Sequence, residues 1–156
     1  MNSVNEGRSL GLGFSAGAVP VLRRLEQSGM VDTIRWPGDS ANEDSSAGPW
    51  LAQHWNGSRR VVAVGACGLV IRLIAPLLGS KHSDPAVVVI DPSGRFVVPL
   101  LGGHAADAEH LAQKIAALLG AEAVLTSASA GRSGWPWMPS AAPGAGSAAK
   151  RATGTG

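Results

Sequence analysis

The sequence predicts an α/β fold, a mainly parallel sheet with helices on both faces, one hairpin and a disordered C-terminal tail. Three observations carry this reading. Strand-type and helix-type segments alternate along the chain, the pattern of a parallel sheet built by crossovers. Residues 60–66 (RVVAVGA) and 86–91 (AVVVID) are nearly unbroken apolar runs, as strands covered on both faces require. Beyond residue 130 the character changes, and 18 of the last 26 residues are Gly, Ala, Ser or Pro. Such a segment buries too little apolar surface to offset its ordering entropy.

Residues 9–15 (SLGLGFS) read as a strand running into a Gly/Ser turn. Over 16–29, Val19, Leu22 and Leu25 recur at helical spacing and Gly29 is a stop signal. Residues 31–36 form a second strand, 37–49 a polar surface loop and 50–56 a short helix. The strand over 60–66 turns through glycines into an apolar helix over 69–78. Strands over 86–91 and 96–101 flank Pro92-Ser93-Gly94, turn chemistry that makes them a hairpin. Gly102-Gly103-His104 breaks the chain. A helix over 105–119 follows, with Ala108, Leu111, Ala112, Ile115 and Leu118/Leu119 on its apolar face. Gly120 ends it, and residues 123–126 form a last strand. The expected domain is thus 1–130 and the tail 131–156.

A chain of 156 residues fits one domain with one core. Its apolar runs are interrupted by Arg72, Lys81 or Asp91 and stop well short of the ~18 residues of a membrane span. The first ten residues carry Glu6 and Arg8 and make no signal peptide. Cys67 is the only cysteine, which excludes an internal disulfide and suits a reducing compartment, with cytoplasm the expected location. The basic pI of 9.2 does not imply nucleic-acid binding. Residues 1–130 hold ten Lys/Arg against eleven Asp/Glu, so the positive excess belongs to the tail, and no nucleic-acid motif is present.

Ligands of open α/β sheets collect at the carboxyl ends of the strands. Three turns are expected there, at residues 65–68, 81–85 and 102–104. Residues 65–68 (Gly-Ala-Cys-Gly) open a helix after a strand and would present backbone N–H groups to an anion; a purely steric need for glycine explains them equally well. They match neither the P-loop nor the dinucleotide-binding spacing. Cys67 reads as a small core residue. Arg72, in an otherwise apolar helix, either holds a substrate carboxylate or pairs with Asp84 or Asp91. Lys81-His82-Ser83-Asp84-Pro85 gathers polar groups in a loop that Pro85 stiffens, and His82 reads as a surface residue. His104 is the catalytic candidate, because a histidine after two glycines at a strand end can take a proton from water. Its alternative is a local role at the helix start. His104 and His110, six apart, lack the spacing of a shared metal face, so no metal site is assigned.

From Gly68 to Ser129 the chain resembles the N-terminal region of the cobalt-precorrin-5A hydrolase family, the cobalamin biosynthesis protein CbiG. The matching signatures are Arg72 with Ile74-Ala75-Pro76-Leu77, Lys81, Asp84-Pro85-Ala86-Val87-Val88, Asp91, Gly94, and Leu101 to His104. The resemblance implies a tetrapyrrole (cobalt-precorrin) substrate whose ring-A δ-lactone is opened by water, with release of a two-carbon fragment as acetaldehyde. No separate cofactor is implied, since cobalt arrives inside the substrate. On this reading His104 activates the water. Backbone N–H groups at Gly102/Gly103 or residues 65–68 meet the oxyanion, and Arg72 and Lys81 hold peripheral carboxylates, with Asp84 and Asp91 also among the substrate-binding residues. The chain departs from the family at Ala106-Asp107-Ala108-Glu109, where Gly-Gly-Ala-Asn is usual. The two extra acids would repel an anionic substrate. Full hydrolases carry a further C-terminal domain, and related arrangements fuse this region to a precorrin-3B C17-methyltransferase. The alternative to a hydrolase part is therefore a non-catalytic tetrapyrrole-binding or docking module.

Two readings stand for the tail, a Gly/Ala/Pro-rich linker and the product of a shifted reading frame. Trp135-Pro136-Trp137-Met138 must be encoded TGG-CCN-TGG-ATG. One base earlier, those bases read NTG-GCC-NTG-GAT and can encode Leu-Ala-Leu-Asp.

Overall fold

A computed structural model describes residues 7–38, 46–102 and 107–126, which, apart from Thr126, belong to one compact unit, Met1–Leu125. The elements in order are β1 (Arg8–Gly13), α1 (Ala18–Gln27), β2 (Thr33–Arg35), α2 (Ala47–Trp55), β3 (Ser58–Val64), α3 (Cys67–Ile74), β4 (Ala86–Ile90), β5 (Phe96–Leu101), α4 (Ala108–Leu119) and β6 (Glu122–Ala123). A 3₁₀ turn, Ala75–Leu77, prolongs α3, with Pro76 starting it where no helical N–H is needed. The sheet order is β2-β1-β3-β4-β5-β6. All neighbours are parallel except β4 and β5, which form the antiparallel hairpin predicted from Pro92-Ser93-Gly94.

Strand alternation divides the core in two. Val62, Val64, Val88 and Ile90 face α1 and α4, meeting Leu22, Leu25, Leu111 and Ile115. Val61, Ala63, Val87 and Val89 face α2 and α3, meeting Leu51, Trp55, Val70 and Ile74. Both faces of β3 and β4 are buried, which is why their sequences run apolar without alternation. In β1 the alternation takes another form. Leu10 and Leu12 serve the α2/α3 side, while Gly11 and Gly13 lie under α1. A Cβ on Gly13 would stand 2.6 Å from that of Ala18 and 3.0 Å from a Leu22 methyl, so the glycine lets the helix approach the strand.

Among the boundaries that differ from expectation, two have a local cause. α2 begins at Ala47, inside the expected loop, because Pro49 sits in its first turn, where proline's missing N–H costs nothing. α4 begins at Ala108 rather than at 105, since Asp107 is left-handed (φ 59°) and cannot continue a right-handed helix backwards. Gly103, His104 and the expected tail lie outside the described residues.

Candidate functional site

The hairpin corrects one expectation about the turns. Residues 65–68 do follow β3 at the carboxyl edge of the parallel strands, and the Gly65 N–H donates to the Ile90 carbonyl at 2.9 Å. Residues 81–85, however, enter β4, whose Ala86 pairs with Arg60 near the start of β3. They occupy the amino edge. Since β5 runs antiparallel to β4 and Leu101 pairs with Val87, Gly102 also lies at the amino edge. Asp107 lies at the same edge, with the Ala108 N–H donating to the Gly102 carbonyl at 2.9 Å. The candidates therefore fall on two edges, with Lys81, Asp84 and Gly102 on one and Asp91 with residues 65–68 on the other.

At the carboxyl edge, Asp91 holds the hairpin turn. Its carboxylate accepts from the Ser93 hydroxyl and from the N–H groups of Ser93 at 3.2 Å, Arg95 at 2.7 Å and Phe96 at 2.6 Å. Burial opposes its ionisation, but these donors outweigh it and hold the carboxyl below the ordinary carboxylate range. Residues 65–68 divide by role. The Phe14 ring would lie 2.6 Å from a Cβ on Gly65, a steric need, whereas a Cβ on Gly68 would meet open space. Cys67 is half-buried and packs on the α2/α3 core.

At the amino edge, Asp84 closes the loop before β4 by accepting from the Gly79 N–H at 2.9 and 3.1 Å. The Ser80 and Ser83 hydroxyls bond to each other at 3.0 Å and brace the same loop, leaving Lys81 and His82 exposed. Arg60, at the start of β3, is partly buried. Burial and the adjacent Arg59 lower its pKa, while Asp32 and Asp107 oppose them. Arg72 is exposed on α3, and the Asp84 and Asp91 carboxylates accept from backbone N–H groups instead. Among the described residues no group of His, Cys, Asp and Glu has the geometry to hold a metal ion.

One feature of this edge escaped sequence reasoning. A cavity of about 210 Å³ is lined by Arg8, Gln53, His54, Asn56 and Gly57. The His54 ring lies on Trp50 (centroids 4.5 Å apart), and its Nδ1 donates to the Trp50 carbonyl at 2.8 Å. The i,i+4 spacing of Trp50 and His54 was the available signal.

The family model for the cobalamin synthesis G N-terminal region matches residues 49–130, from α2 past β6. The chain belongs to this family. Two curated relatives bear the name cobalt-precorrin-5A hydrolase. The Salmonella typhimurium protein is 48% identical over 68 residues, covering 44% of this chain and 19% of its own length. The Priestia megaterium protein is 39% identical over 100 residues, covering 57% of this chain and 26% of its own. The chain thus spans about a quarter or less of the length of these two curated relatives. A crystal structure of a cobalamin biosynthesis protein G homologue from Sulfolobus solfataricus has the same fold, with a TM-score of 0.63 at 22% identity, covering 79% of this chain and 38% of that one. Membership in the cobalamin synthesis G family places this region in cobalamin biosynthesis. No helix among the described residues is long and apolar enough to cross a membrane.

Proposed function

We propose that this chain is the N-terminal region of a cobalt-precorrin-5A hydrolase and takes part in opening the ring-A lactone with release of acetaldehyde. The observation that carries the reading is the 48% identity to a hydrolase of that name. The topology adds a choice between the two oxyanion donors left open by the sequence. Residues 65–68 stand at the far edge from Gly102, separated by the seven-residue length of β3, roughly 20 Å at ~3.3 Å per residue. A water activated at His104 is two residues from Gly102, so the Gly102/Gly103 N–H groups are the oxyanion donors on this reading, and Lys81, on the same edge, holds a peripheral carboxylate. Hydrolysis needs no cofactor beyond the cobalt in the substrate.

Acetaldehyde release from cobalt-precorrin-5A tests the proposal. The purified 156-residue chain is expected to turn over poorly alone, because small-molecule sites are commonly completed between domains. In a full-length form, His104→Ala should lower kcat by about 10²–10⁴-fold, and His82→Ala and His110→Ala far less. Equal small effects from all three would remove His104 from catalysis. The exposed Asp107 carboxylate at the amino edge favours a second reading, a tetrapyrrole-docking module without chemistry of its own. Substrate binding without acetaldehyde release in the full-length form would select it.

A further inference from the structure

The two faces of the sheet are covered unequally. On one, α1 and α4 pack together, and α4 lies along β4, β5 and β6. On the other, α2 and α3 bury the β1, β3 and β4 side chains, and of β5 only Leu100 and Leu101 join that core. Val98 pairs with Val89 and so points to the α2/α3 side, yet it packs into neither core. Phe96, two residues earlier on the same side, is 37% exposed. Val124, whose N–H donates to the Val97 carbonyl, continues this strip beside Val98 and is half-buried.

α3 supplies the other wall. Its Leu73 flank faces α2, with Leu73 Cδ2 3.8 Å from the Cβ position of Gly48. Helical geometry turns Ile71 to the opposite flank, toward β5, since two residues rotate by roughly 200°. Ile71 is 50% exposed. Two of the four exposed large hydrophobics among the described residues, Ile71 and Phe96, thus border one trough. Its rim is charged: the Arg95 guanidinium sits 5.2 Å from the Phe96 ring centroid, and Glu122 pairs with Phe96 across the strands. An apolar strip with a polar rim is the anatomy of a protein interface.

We infer that the trough formed by Ile71, Phe96, Val98 and Val124 is the docking surface for the part of a cobalt-precorrin-5A hydrolase that follows this region. This rests on the proposed function. The family is by name an N-terminal one, its match ends at residue 130, and this chain covers only 19% and 26% of the two hydrolases. The chain runs out of the family match just past β6, the strand that edges the trough.

The test uses the 156-residue chain and, as probe, the separately expressed remainder of the Priestia megaterium hydrolase beyond its matched stretch, with complex formation read by titration calorimetry. Phe96→Asp and Ile71→Asp should each weaken the complex at least about tenfold, the loss typical of an interface anchor. Leu69→Asp, on the α2 side of α3, should leave it unchanged. A Leu69→Asp effect as large as the others, or no complex, overturns the assignment. So does self-association of the chain that Phe96→Asp abolishes, which would make the occupant a second copy. Thermal melting of a hydrolase chimera carrying this chain's family region gives an independent reading. There Phe96→Asp should lower Tm, while the isolated chain melts unchanged. A Tm loss in the isolated chain overturns the inference, because the trough would already be covered. These readouts measure assembly, so they stand apart from the acetaldehyde assay.

Discussion

Two aspartates illustrate how single side chains are fixed by backbone rather than by partner charges. Asp91 gathers three N–H groups and a hydroxyl at the hairpin turn. Its folded pKa is depressed, so its contribution is full above the unfolded carboxylate value of about 3.9 and fades as pH falls through the lower folded one. Asp91→Ala should cost about 1 kcal/mol at neutral pH, since hydrogen bonds to an exposed carboxylate are weakened by solvent. The variant and parent melting curves should converge once the pH falls below the depressed folded value; a gap that persists there would assign the loss to the turn backbone. Asp107 presents the opposite case. It occupies left-handed space at φ 59°, at a position where the resemblance implies glycine. Asp107→Gly should raise stability by about 0.5–1 kcal/mol and Asp107→Ala should lower it, as urea unfolding would show. The departure from the family pattern thus preserves the turn at a conformational cost.

At the scale of elements, glycine placement decides how closely helix and strand approach. Gly13→Ala would force apart the backbones of β1 and α1 and should cost about 1–3 kcal/mol, the range for an overpacked core. Gly68→Ala, near the start of α3 and facing open space, should be neutral or slightly stabilising. Chemical denaturation of the pair separates packing from propensity. The same elements show what was legible in sequence. β3 and β4 declared themselves by valine runs that only double burial explains, and the hairpin by Pro92-Ser93-Gly94. The start of α2 was not legible, because Pro49 suits both a loop and a first helical turn. The edge assignment of residues 81–85 and Gly102 needed the direction of each strand, and local pattern carries no direction. Asp84 and Asp91 resembled ligand-binding carboxylates by type, but their backbone donors, Gly79 and residues 93–96, became visible only in three dimensions.

For the whole molecule, the opposed edges make the substitutions separable. On the proposed function, Lys81→Ala should weaken cobalt-precorrin binding with little change in Tm, because the side chain is exposed. Asp91→Ala should lower Tm and leave binding intact, since its edge is that of residues 65–68. Absorbance titration of the bound tetrapyrrole alongside thermal melts tests both, and a binding loss from Asp91→Ala would move the substrate to the other edge. Gene sequencing settles the two readings of the tail: a stop codon soon after the shift rules out the altered frame.

The β4–β5 hairpin also bears on the order of assembly. Its strands are separated by five residues, whereas each parallel pairing waits on a crossover that must close a longer loop first. Loop closure of this kind is a kinetic toll, paid before any contact rewards it. The Val89–Val98 pair should accordingly be formed in the folding transition state, and the β1–β2 pairing at Gly11 and Ile34, on the outer edge, should form late. Val98→Ala would then slow refolding with little effect on unfolding, while Ile34→Val would chiefly speed unfolding. Stopped-flow chevrons with the reverse pattern would place the nucleus elsewhere in the sheet.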